Sequence, residues 1–242
     1  MPRRSVKYQK QMKLRGESSG PVPLKQGITQ VQEMAGAQAD RSYKGGKKRK
    51  GVDQTIELVM HLGIDPKQAD QILRGSLSLP KGIGKTKRVI AFCSDEDAEK
   101  AKAAGAVEVG VADLVEKISG GWMDFDVAVA HPSVMGKVGK LGRILGPSGK
   151  MPSPKSGTVT KDVDVAVREF AAGKVEYRND AGGNLHVAVG RASFSLDDLK
   201  ANIEAFISHV QKLKPASSKG QYIRRVCLSG TMTPSVTIAV AG

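Results

Sequence analysis

A chain of 242 residues has room for one generous core or two modest ones, and its net charge of +14 points to a polyanionic partner, nucleic acid or an acidic surface. Residues 1 to 50 hold 13 Lys/Arg against 3 Asp/Glu, so most of the basicity lies in the N-terminal fifth. Cys93 and Cys227 have no second Cys or His at metal-ligand spacing and no apolar run is long enough to span a bilayer, which argues against a disulfide framework, a zinc site and a membrane anchor. A chain of the reducing cytoplasm, with no membrane partner, is expected.

In chain order, residues 1 to 23 read as a basic flexible arm. Leu24, Ile28, Val31 and Ala35 then fall at helical spacing, in a helix that Gly27 weakens and Gly36 ends. "RSYKGGKKRKG", residues 41 to 51, has no apolar period and reads as a solvated connector or a phosphate anchor. "TIELVMHLG" from Thr55 alternates as a strand, and Ile72, Leu77 and Leu79 in "QILRGSLSLP" supply further strand material. After the turn "PKGIGKTK" the pattern becomes α/β. A wholly apolar strand "RVIAFC" is followed by a helix capped by Ser94, by "VEVG", by a helix from Ala112 to Ser119 and by a second apolar strand in "DFDVAVAH". Such unbroken runs require helices on both faces of a parallel sheet.

"LGRILGPSGKMPSPKSGTVT", residues 141 to 160, contains no Asp or Glu and reads as a rigidified loop, neither helix nor strand. "DVDVAVREFAAG" is an amphipathic helix ended by Gly173, and "KVEYRNDAGGNLHVAVGR" reads as a hairpin with its turn near Ala181, Gly182 and Gly183. In "SLDDLKANIEAFISHVQKLK" one helix face carries Leu196, Leu199, Ile203, Phe206, Ile207, Val210 and Leu213, and two strands, "YIRRVCLSG" and "SVTIAV", close the chain around the turn "TMTPS". The expected architecture is therefore α/β and α+β: an antiparallel domain built from residues 24–82 and 173–242, interrupted by a parallel α/β domain over 83–172. Gly82, Gly84 and Gly173 are the candidate hinges.

No catalytic set assembles. "KGIGKT" lacks the first glycine of a phosphate loop, since position 79 is Leu, and it leads into a strand rather than a helix. His61, His131, His186 and His209 are scattered without partner thiols or carboxylates; only His186, beside Arg178 and Asn179, is retained as a binding candidate. With 5 Phe, 4 Tyr and 1 Trp the chain has few stacking platforms, which disfavours a single-strand reader and leaves recognition of folded RNA by shape, phosphate and 2′-hydroxyl. The hydroxyls and Met232 of "TMTPS" suit that task or an ordinary turn. Residues 131–161 hold 6 basic and no acidic side chains, whereas 92–130 hold 9 acidic and 3 basic, so the middle domain should be dipolar with one phosphate-facing side.

"GWMDFD", "LGRILGP", "MPSPKSGTVT", "VEYRND" and "TMTPS", with "LGIDP…ADQ…RG…SLP.G.GK" in residues 62–85, resemble the ribosomal protein L-one family, the first protein of the large subunit, over about residues 52–240. The resemblance implies a non-enzymatic protein without cofactor or small-molecule substrate, with a split βαβ-like base domain and an inserted Rossmann-like lid. It implies binding to large-subunit rRNA in a mobile stalk near the exit site, assistance to release of deacylated tRNA, contact with other ribosomal components, and repression of translation from its own mRNA leader. It further implies an rRNA site at Thr55, Glu57, Arg178, Asn179, Asp180, His186, Thr231, Met232, Pro234 and Ser235, and RNA-facing lid residues Lys140, Arg143, Lys150 and Lys155. A carboxylate such as Glu57 fits there as an acceptor for ribose or base donors. The chain departs from the family pattern at Val52 (commonly aromatic), Thr233 (commonly Gly), Ser148 (Arg), Lys150 (apolar) and Ser153 (Asn), which suggests that the loop's positive charge has moved from position 148 to 150. The rival readings are a dedicated RNA-binding repressor outside the ribosome and a nucleotide-dependent enzyme using "KGIGKT".

Overall fold

The computed structural model describes residues 5–16, 20–36, 52–68, 70–218 and 220–239; the basic run at 41–51 lies outside them. The elements in chain order are α1 (Val6–Arg15), α2 (Leu24–Gly36), β1 (Thr55–Leu62), β2 (Arg74–Ser78), β3 (Val89–Phe92), α3 (Asp95–Ala103), β4 (Glu108–Val109), α4 (Ala112–Ser119) and β5 (Val127–Ala130). Then follow α5 (Met135–Val138), α6 (Gly142–Leu145), α7 (Val163–Ala171), β6 (Lys174–Arg178), β7 (Asn184–Arg191), α8 (Leu196–Lys212), β8 (Ile223–Gly230) and β9 (Val236–Ile238). The fold is mixed α/β, in two compact units: one comprises residues 1–73, 79–84 and 177–242, the other 74–78 and 85–176.

The first unit is organised by an antiparallel sheet in the order β7-β1-β8-β9. Along β1 burial alternates strictly, with Ile56, Leu58, Met60 and Leu62 buried and Thr55, Glu57, Val59 and His61 half-buried. The buried side is covered by α2 and α8, through Ile28, Val31 and Met34 of the first and Leu199, Ile203, Phe206, Ile207 and Val210 of the second. Gly27 does not merely weaken α2: a Cβ there would stand 2.8 Å from Ile238 Cγ2, so the missing side chain lets the helix lie against β9. Leu213, expected on the apolar face of α8, is instead its exposed C-cap, and the exposed Ile72 precedes β2 rather than joining it.

Residues 5–16 correct the expectation of a flexible arm over 1–23. They form α1, capped by Ser5, whose hydroxyl accepts the Tyr8 N–H, and packed on α2. The helix carries no apolar stripe that sequence periodicity could find, because a buried glutamine, Gln11, anchors it. A second correction concerns the expected hairpin. β6 pairs with β2, not β7; among the described residues the arms of the turn are joined by an isolated bridge, Asn179 to Leu185, and by Asp180, whose N–H donates to Asn184 O at 2.9 Å. The cause is a long-range contact: Asn179 donates its N–H to Leu73 O and accepts the Leu73 N–H on its side-chain oxygen, at 3.0 and 2.9 Å, so the edge beyond β6 is already taken.

The second unit has a parallel sheet, β4-β3-β5, buried on both faces as unbroken apolar strands demand. Ile90, Phe92, Ala128 and Ala130 face α4 and the helical turns after β5, whereas Val89, Ala91, Val127 and Val129 pack with Ala101, Val163, Val167 and Phe170 of α3 and α7. The start of the carboxylate-free stretch is helical rather than loop. Val134, Val138, Leu141 and Leu145 recur at helical spacing and are buried, so consecutive short turns over 132–145 outweigh the helix-weakening glycines at 136, 139 and 142.

Candidate nucleic-acid interface

In the first unit the helices leave one sheet face uncovered among the described residues. Register places its side chains in rows: Ala188, Glu57 and Ser229; His186, Val59, Cys227 and Thr237; Asn184, His61 and Arg225. Small polar groups alternate with a few charges, and the rows hold no Phe, Tyr or Trp, their rings being the imidazoles of His61 and His186, a composition suited to ribose and phosphate contacts more than to extended base stacking. Thr55, Glu57 and His186 thus share one face. Ser229, Cys227 and Arg225 belong to it as well and were missed, although the polar positions of "RRVCLSG" alternate in sequence with the buried Val226 and Leu228.

The turn Thr231–Ser235 closes one end of this face. Thr231 donates its N–H to Thr55 O at 3.1 Å, and Met232, 54% exposed, donates its N–H to the side-chain oxygen of Gln54 at 3.0 Å. Thr233 supplies a hydroxyl that accepts the Gly230 N–H at 2.7 Å and tightens the turn; Pro234 is half-buried and Ser235 exposed. At about 3.3 Å per strand residue, six steps along β1 put His61 roughly 20 Å from Thr55. The second group of expected residues lies towards that far end, so the predicted site is an elongated strip rather than a pocket.

At the far end Asp180 organises the turn. Its carboxylate accepts the N–H groups of Gly182 and Asn184 at 2.8 and 2.7 Å and the Asn184 side-chain amide at 2.9 Å, and it lies 3.6 Å from His186 Nε2. Those donors, the Asn184 side chain first, hold its pKa down at about 2. Gly183 sits at φ 74°, a left-handed conformation that the tight return requires. Asp180 therefore contributes stability that is fully present above its ordinary carboxylate range near 3.8 and is lost as pH falls through about 2. The stability gap between the wild-type protein and Asp180→Asn is expected to shrink as acid unfolding is followed from pH 5 to pH 2; a constant gap would contradict this. Arg178 and His186 are exposed. Asn179, by contrast, is buried with its side-chain oxygen committed to Leu73, a structural rather than an RNA-facing position.

In the second unit Lys140, Arg143 and Lys155 are exposed on the basic segment. Lys150 is not. Its ammonium donates to the carbonyls of Met123 and Phe125 at 3.1 and 2.6 Å and lies 4.9 Å from the centre of the Phe125 ring. The expectation that Lys150 carries the charge displaced from position 148 is corrected: it ties the end of the basic segment to the chain entering β5. Lys150→Met should lower the unfolding free energy of this unit by about 1–2 kcal/mol, the scale of a charge-assisted hydrogen bond, measured by denaturant titration. The adjoining loop is held by hydroxyls, with Ser153 donating its N–H to Thr158 Oγ1 at 2.8 Å and the buried Ser156 hydroxyl donating to Ser153 O at 3.2 Å.

No group of three or more His, Cys, Asp or Glu side chains able to hold a metal ion occurs among the described residues. Each histidine has a local partner: His61 with Asn184, His131 with Ser133, His186 with Asp180, and His209 with the Tyr177 hydroxyl at 2.8 Å. "KGIGKT" turns at Gly82 and Gly84 and enters β3, so no helix N-terminus stands behind it for a phosphate.

A two-unit α/β protein whose open sheet face ends in a braced polar turn has the form of a binding protein. Comparison with known proteins gives the particular class. The sequence pattern of the ribosomal protein L1p/L10e family matches residues 41–234. The large ribosomal subunit protein uL1 of a Nocardioides species is 50% identical over 190 residues, covering 78% of this chain and 79% of its own. Its counterpart in Beutenbergia cavernae is 51% identical over 201 residues (83% and 84%), and that in Chlorobaculum tepidum 51% over 186 residues (77% and 80%). The chain belongs to the ribosomal protein L1p/L10e family, and like the members of that family it is not an enzyme.

Proposed function

We propose that this ribosomal protein is a structural constituent of the large subunit in the cytoplasm and binds large-subunit rRNA through the open sheet face of its first unit. In this reading the first unit is the base, made by both ends of the chain, and the second is an inserted Rossmann-like lid whose exposed Lys140, Arg143 and Lys155 face stalk rRNA or exit-site tRNA. The lid assists release of deacylated tRNA, and the same base face takes the chain's own mRNA leader as a mimic of the rRNA site, repressing translation. The observation that carries the reading is the juxtaposition of Thr55 with the exposed Thr231–Met232 turn at the end of a sheet face lined by small polar groups. Such groups can read the 2′-hydroxyls and backbone of folded RNA, and Glu57 can accept hydrogen bonds from ribose or base donors without facing phosphate.

The test is paired: sedimentation of large subunits through high salt, and filter binding of a stalk rRNA fragment against the chain's own leader. Cosedimentation with tighter binding to rRNA than to the leader is expected. Loss from the subunits while leader binding persists would instead establish a repressor that works outside the ribosome.

A further inference from the structure

The turn that ends the open face is gripped from behind by two buried glutamines. Gln54, 2% exposed, accepts the Met232 N–H on its side-chain oxygen and donates its amide to Ala35 O at 3.4 Å. Gln11, 3% exposed and carried by α1, donates its amide to Met232 O at 3.2 Å and Met34 O at 3.3 Å. Met34 and Ala35 lie in the last turn of α2, whose carbonyls have no partner within the helix. Each glutamine thus satisfies an orphan carbonyl of α2 and at the same time holds one side of Met232, whose N–H and C=O are both engaged.

We infer that Gln11 and Gln54 are positioning residues for RNA recognition, and that α1 is a working part of the RNA site rather than a leader to it. Resting on the reading that the Thr231–Ser235 turn contacts RNA, the inference adds what fixes the turn in shape before RNA arrives. A glutamine is suited to this because one planar amide offers a donor and an acceptor, so it can bridge a helix carbonyl to a turn. Both glutamines are buried, and a hydrogen bond shielded from solvent is electrostatically stronger than one in water. With the peptide of Met232 fixed on both sides, its side chain is presented to solvent, and the Thr231 hydroxyl, which donates to Thr55 O at 3.3 Å, is presented as an acceptor, without the ordering cost that a loose turn would add on binding.

The test uses Gln11→Met and Gln54→Met, which keep volume and remove the hydrogen bonds, and Gln54→Glu, which keeps the acceptor for Met232 and loses the amide donor. In the full-length protein without RNA, amide hydrogen exchange at Met232 and Thr233 should accelerate in both methionine variants while exchange in the β1–β7 ladder stays as in the wild type. Gln54→Glu should retain slower exchange at Met232 than Gln54→Met. Affinity for a stalk rRNA fragment should fall about fivefold to tenfold for each methionine variant. Unchanged exchange at Met232 and Thr233 overturns the clamp. Should Gln54→Met unfold, Gln11→Met on the peripheral helix gives the same readout. Thr231→Ala, measured in parallel, separates the two ideas: if it binds RNA like the wild type, the turn is not the contact; if it binds weakly while both methionine variants bind normally, the turn is the contact and the clamp is not needed.

Discussion

Replacing Thr231 and Met232 together by alanine is expected to weaken binding to a stalk rRNA fragment by about a hundredfold while leaving the protein folded. Both side chains are exposed, so deletion removes little from the core, and loss of the bond from the Thr231 hydroxyl to Thr55 O, at 3.3 Å, costs about 1 kcal/mol of stability at most. On RNA the account differs. A hydroxyl that accepts from a ribose 2′-hydroxyl is worth about 1–1.5 kcal/mol, and burial of a thioether side chain against a sugar or base adds roughly as much again. Together these amount to about 2–3 kcal/mol, or two decades in Kd. Lys150→Met should leave the affinity within about twofold, because the ammonium is spent on two carbonyls inside its own unit. Filter binding of both variants at one fixed salt concentration decides the matter, since salt alone moves such affinities by decades. Equal losses for the two variants would remove the turn from its place as the main contact.

The contrast between Met232 and Lys150 shows which parts of the site were legible in sequence. Thr55 and Glu57 could be placed because a strand's alternation reports its faces, and "TIELVMHL" alternates without a break. The two-sided burial of "VIAF" and "VAVA" followed from their lack of alternation. Lys150 could not be read in that way: composition counts a lysine as charge, and only the neighbouring carbonyls of Met123 and Phe125, more than 20 residues earlier, show that the charge is internal. Asn179 was obscured for the same reason, its partner Leu73 standing 106 positions away. Helix α1 escaped because polar anchoring through Gln11 leaves no period to detect. The common cause is long-range hydrogen bonding by side chains, whose partners are set by the tertiary fold and leave no local signature.

Asn202→Ala is expected to lower the stability of the first unit by about 3 kcal/mol, the largest loss predicted for a single substitution. Asn202 is fully buried in α8, and its side chain makes three bonds to backbone: the Lys81 N–H donates to its oxygen at 3.0 Å, and its amide donates to Gly82 O at 2.9 Å and Val189 O at 2.8 Å. It therefore joins α8, β7 and the Leu79–Gly84 segment. A methyl group in its place satisfies none of them, and each stranded buried group costs about 1–3 kcal/mol before any water enters to relieve it. Gly84 packs its backbone under the Phe194 ring, where a Cβ would stand 2.6 Å from a ring carbon, so the segment has little room to move and recover its bonds. Asn202→Asp should do no better, since a carboxylate keeps the acceptor for Lys81 but faces the Gly82 and Val189 carbonyls without a donor. Urea titration of each variant should show a lower midpoint at an unchanged slope. A loss below about 1 kcal/mol for Asn202→Ala would mean that water replaces the amide, and that the Leu79–Gly84 turn is held by its other contacts: the packing at Gly84, the buried Leu79, the Gly82 N–H to Leu79 O bond and the Lys81–Asp198 ion pair.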